Sequence, residues 1–164
     1  MLDEIPQSKV VKPLEMALPF PYNKNPYCRY EPIEKKIDHA KVLIMNNLLR
    51  YESDVSDLAK KDWNGTLDSR LKLERKLSSM ACNNIAQNVV RLVKQPKTST
   101  VHLSEVADAA ERFRPDAIVM SGTLSDFDYY NPEHLKTFTE FITTTKIPVL
   151  AICGAHQLVA MGFG

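Results

Sequence analysis

Val149 to Ile152 is an apolar run too short for a helix and bounded by Pro148, so it predicts a buried strand. Cys153 follows at once, and His156 to Met161 reads as the first turns of a helix. A cysteine on so tight a strand-to-helix turn has the geometry of a nucleophile elbow. Strand and helix approach closely there, which requires small residues two before and two after the cysteine. These are Ala151 and Ala155, with Gly154 between. Free amides at the helix N-terminus point toward the sulfur and favour the thiolate. A core cysteine packed at a strand end would leave the same bare pattern.

The chain upstream alternates strand and helix. Lys41-Val-Leu-Ile-Met45 predicts a first strand, closed by Asn46-Asn47, and Leu48 to Tyr51 begins the region over its C-terminal end. Asp54 to Gly65 is polar and ends in the turn signal Asn64-Gly65. Leu67 to about Lys94 predicts the longest helix, with Leu73, Leu77, Met80, Ile85, Val89 and Leu92 as its apolar stripe and Pro96 as its stop. Cys82 on this helix reads as packing. Thr98 to Leu103 predicts a second strand, and Ser104 caps a helix reaching Phe113. Ala117 to Met120 predicts a third strand, and Pro132 opens a helix to about Thr145. Such alternation implies an α/β, three-layer, flavodoxin-like fold whose parallel sheet is covered on both faces. An order of 2-1-3-4 would gather the ends of strands 1, 3 and 4 around one crevice.

Residues 1–38 hold six of the ten prolines, together with Phe20, Tyr22, Tyr27 and Tyr30. This predicts an extended, Pro-rich arm lying over the domain or a neighbouring subunit, ahead of an α/β domain at 39–164. A net charge of +1 points to no nucleic-acid partner. Cys28, Cys82 and Cys153 are odd in number and widely spaced, which argues for a reducing compartment and against a disulfide framework or a zinc site. With no signal-like N-terminus and no run near the ~20 apolar residues of a span, the expectation is a cytoplasmic protein without membrane, metal or cofactor.

Pro148-Val-Leu-Ala-Ile-Cys-Gly-Ala-His-Gln-Leu158 closely resembles the nucleophile motif of class I (triad-type) glutamine amidotransferases, where a small residue and then His-Gln follow the cysteine. The resemblance implies that Cys153 attacks the glutamine side-chain amide and forms a glutamyl thioester. It implies that Gln157 sits beside the glutamine pocket and that the Gly154 amide donates to the oxyanion. It further matches Ser121-Gly122-Thr123, after the third predicted strand, to the family's Ser-Gly-Gly-like oxyanion turn, with Gly122 at the first glycine and Thr123 replacing the second. The family usually places a bulky residue directly after the cysteine and glycine next, whereas here Gly154 precedes Ala155.

The family completes its thiolate with a His-x-Glu pair on a later strand or loop. No His-x-Glu occurs in this chain, and His39, His102 and His134 do not match it. The resemblance thus covers about residues 40–164, the N-terminal half of such a domain, so the sheet is expected to be incomplete at its C-terminus. Isolated in sequence, His102 and His134 receive no role as ligand or base. His156 shapes the turn, and Asp126, Asp128, Tyr129 and Tyr130 read as a solvated loop.

The expected function is glutamine amidotransferase-like hydrolysis through Cys153, with the His/Glu half of the site supplied by a further segment or a second chain. The implied partners are glutamine or a γ-glutamyl compound, a synthetase or other acceptor-activating partner, and a second copy of the chain. The alternatives are a γ-glutamyl peptide hydrolase and a non-catalytic binding or assembly module with this fold.

Overall fold

A computed structural model describes residues 35–164 of the chain. The arm expected over residues 1–38, Cys28 included, lies almost wholly outside the described residues. Four strands form one all-parallel sheet in the order β2-β1-β3-β4: β1 (Ile37–Asn46), β2 (Val93–His102), β3 (Ala117–Met120) and β4 (Val149–Ala151). The helices are α1 (Asp57–Asp62), α2 (Leu67–Leu92), α3 (Val106–Phe113), α4 (Pro132–Thr144) and α5 (Gly154–Phe163). This is the flavodoxin-like α/β architecture and strand order that the alternating pattern predicts.

β1 is the centre of the sheet, and its side chains show why. Val42 to Met45 are all buried, because a strand covered on both faces must be apolar at consecutive positions. Leu43 and Met45 join Val101, Ile118, Met120 and Phe138 in the larger core, between the sheet and α3, α4 and α5. Val42 and Ile44 point the other way, onto Cys82, Ile85 and Val89 of α2. Three layers result.

Several boundaries differ from the sequence reading. β1 starts at Ile37, four residues before the strand expected from Lys41. α2 ends at Leu92, and the chain passes directly into β2, so Pro96 lies inside a strand instead of stopping the helix. An edge strand tolerates that proline, since one side of its ladder faces no other strand among the described residues. The α2 stripe also shifts: Leu73, Met80 and Leu92 are exposed, and the buried face carries Leu71, Glu74, Cys82, Ile85 and Val89. Large apolar residues were a poor guide because Glu74 and Cys82 occupy inward positions. Ser104 does not cap a helix. It sits in a 3-10 turn, Leu103–Glu105, whose cap is His102, and α3 starts only at Val106. Asn131 caps α4 by accepting the Glu133 amide at 2.9 Å, with Pro132 in the first helical position as expected.

Candidate functional site

The carboxyl ends of β1 and β3 meet through polar groups that fix the loops. Ser121, buried just after β3, accepts the Asn47 amide at 3.0 Å through Oγ, and its own carbonyl accepts Asn47 Nδ2 at 2.6 Å. The Tyr130 hydroxyl donates to the Asn47 carbonyl at 2.7 Å, and burial holds that phenol well above its ordinary range. Tyr130 is therefore a core residue, which corrects its reading as part of a solvated loop, whereas Asp126 and Asp128 are exposed as expected. Its neighbour Tyr129 stacks at 4.8 Å on Trp63, itself buried. Glu74 reaches across from α2, accepting the Leu49 amide at 2.7 Å and bonding the Ser125 hydroxyl. Burial is the largest influence on Glu74 and raises its carboxyl above the usual range.

Within this frame Cys153 adopts φ 56°, ψ −128°, directly between β4 and α5. Apart from Arg114, it is the one non-glycine residue with positive φ among the described residues. A side chain is held in that strained region only when its surroundings dictate it. Cys153 is exposed, whereas Cys82 is buried and its thiol pushed up to about 11 by burial.

The residues flagged from the sequence converge here. A Cβ placed on Gly122 would stand 3.4 Å from Cys153 Cβ and 3.9 Å from Cys153 Sγ, so this turn runs directly against the cysteine. A Cβ on Gly154 would overlap the Thr123 hydroxyl and lie 3.1 Å from Thr123 Cβ. Gly154 is thus required for space, and the two loops interlock. Among the described residues, the amides of Gly122, Thr123 and Gly154 donate to no backbone carbonyl outside the regular elements. Ala155 is buried and Gln157 exposed, one helical turn beyond Cys153 and so on the same side. The His156 side chain is exposed, and its amide donates to the Cys153 carbonyl at 3.0 Å. No imidazole or carboxylate bonds to Sγ among the described residues. A cavity of about 310 Å³, lined by Trp63, Arg70, Glu74, Ser125, Asp126 and Tyr129 among others, adjoins the loop after β3 without including Cys153.

The histidines read as isolated are not. His102 ends β2, His134 lies in the first turn of α4, and both face Asp54. His102 Nε2 is 3.8 Å from Asp54 Oδ2, and His134 Nδ1 is 3.7 Å from Asp54 Oδ1. Both distances exceed hydrogen-bond reach. Asp54 is buried, and its Oδ2 accepts from the Arg50 amide at 2.8 Å, Arg50 Nε at 3.2 Å and the Tyr51 amide at 3.2 Å. Burial drives the His102 imidazole well below its ordinary value, against the pull of Asp54. Burial also opposes ionisation of Asp54, but His102 and the Arg50 bonds outweigh it and keep that carboxyl low. No chain motif links these three residues; only the fold assembles them.

Comparisons with protein-family models, with curated proteins and with solved structures returned no match for this chain.

Proposed function

We propose that this chain carries the nucleophile portion of a glutamine amidotransferase-like site. Its carrying observation is an exposed cysteine at φ 56° on a strand-to-helix turn, packed against the Gly122 turn. In this reading Cys153 Sγ attacks the side-chain amide carbon of glutamine. The resulting oxyanion is met by amides from Gly122, Thr123 and Gly154, donors whose value lies in being aimed before the charge appears. Ammonia then leaves with a proton from a partner imidazole, and water hydrolyses the thioester to glutamate. Gln157 helps seat the substrate. The imidazole and its carboxylate come from a segment beyond the described residues or from a second chain, and the ammonia passes to an acceptor-activating partner.

The test compares glutamine with γ-glutamyl amides as substrates for the purified protein together with the partners that co-purify with it, before and after Cys153→Ala. Glutamine hydrolysis that falls at least a thousandfold in the variant, as for loss of a covalent nucleophile, is the expected result. Hydrolysis retained by Cys153→Ala removes the assignment. Preference for γ-glutamyl amides moves it to a γ-glutamyl hydrolase. An inert parent in which the variant behaves identically in every assay leaves a binding module, a reading favoured by the absence of a base at Sγ among the described residues.

A further inference from the structure

We propose that Asp54, His102 and His134 form a binding site for a divalent transition metal of the zinc class, separate from the Cys153 turn. One ligand atom from each residue lies within 4.8 Å of the others. Ions of this class are held at about 2.0–2.2 Å by imidazole nitrogen and carboxylate oxygen, so a common centre lies close to bonding distance from all three atoms. A small rotation of the half-buried His134 ring closes the remainder.

Two features beyond proximity point to a ligand. His102 Nε2 and His134 Nδ1 are buried and have no hydrogen-bond partner among the described residues, and His102 is 2% exposed. Buried imidazole nitrogens left without a partner are costly, and an ion placed between them would satisfy both. Second, the outer bonds suit ligation. His102 Nδ1 is held by Ser104, whose Oγ lies 2.8 Å away and whose amide donates to it at 3.4 Å, so the ring is fixed through Nδ1 and Nε2 is the nitrogen turned toward Asp54. Arg50 and the Tyr51 amide hold Asp54 mainly through Oδ2, so Oδ1 is the oxygen that faces His134. Arg50 also contacts Glu105 at 3.4 Å, so its guanidinium is shared between two carboxylates. Two nitrogens and one oxygen leave a fourth position for water, the donor set of an open zinc site rather than a closed structural one. The site lies at the end of β2, separated from β4 by the two strands between them.

The experiment uses the full 164-residue chain, stripped with chelator and titrated with zinc and with cobalt. One equivalent of zinc is expected to bind and raise Tm, as a ligand selective for the folded state must. His134→Ala, at a partly exposed position, is expected to weaken binding at least tenfold and to abolish the rise in Tm. The cobalt form of the parent is expected to show a visible spectrum without thiolate charge transfer. No binding at micromolar zinc, unchanged binding in folded His134→Ala, or a thiolate band with cobalt would each overturn the proposal. Should His134→Ala not fold, the parent's cobalt spectrum decides alone, since cysteine ligation and a nitrogen-oxygen set differ in that band.

Discussion

Glu74 is a carboxylate on the inward face of a helix, a position where charge is seldom left unless several bonds hold it. The Leu49 amide and Ser125 hydroxyl supply two, tying α2 to the loops after β1 and β3. Because burial raises its pKa, the folded state holds the Glu74 proton more tightly than the unfolded chain does. Its contribution to stability is therefore full below the unfolded carboxylate value and is lost as pH rises through the folded one. Glutamine keeps an acceptor for Leu49 and a donor for Ser125 without the charge. Urea unfolding of Glu74→Gln should show a flatter pH profile between pH 4 and 7 and a stability at pH 7 within about 1 kcal/mol of the parent or above it, the scale of one neutral hydrogen bond. A variant that loses more stability at pH 7 than at pH 4 would show that the ionised carboxylate is what the site holds. Nothing in the local sequence around Glu74 or Asp54 marks either as buried. Local pattern has no term for a partner that arrives from another strand.

At the scale of elements, the strand-turn-helix around Cys153 was the most legible part of the chain. Its small residues are all local, and the geometry that demands them is local too. What the pattern left out was the reason for Gly154, which is the side chain of Thr123 from a different loop. Gly154→Ala should therefore push the two loops apart, lowering Tm by several degrees and any Cys153-dependent hydrolysis by tenfold or more. Thr123→Gly in the same chain should restore most of the lost Tm, because the overlapping atoms are gone. Equal losses in the single and double variants would place the strain elsewhere. The 3-10 turn after β2 shows the opposite case: Ser104 has the composition of a cap, yet His102 takes that role. α2 is a third, its inward face set by the sheet it covers and not by its largest side chains.

Across the whole molecule, the order β2-β1-β3-β4 makes β3 an interior strand and β4 an edge. Ile118 is fully buried, while Leu150 is 61% exposed although Val149 and Ala151 on either side pack against the larger core. Ile118→Ala should cost about 2–5 kcal/mol, as for a fully buried aliphatic residue. Leu150→Ala should stay within about 0.5 kcal/mol, as at an exposed position. Urea midpoints of the two variants measure this, and a comparable loss at Leu150 would mean that its face is covered in solution. Among the described residues, no helix is long and apolar enough to cross a membrane.

The alternation of strand and helix, the parallel sheet and its order, and the turn that presents Cys153 follow from sequence alone. Each rests on periodicity or on neighbours a few residues apart, and such signals survive in a linear reading. The tertiary structure alone decided which face of α2 is buried, why Gly154 has no side chain, and that Asp54, His102 and His134 meet. Those outcomes depend on contacts between residues tens of positions apart, brought together by parallel crossovers whose packing no local window contains.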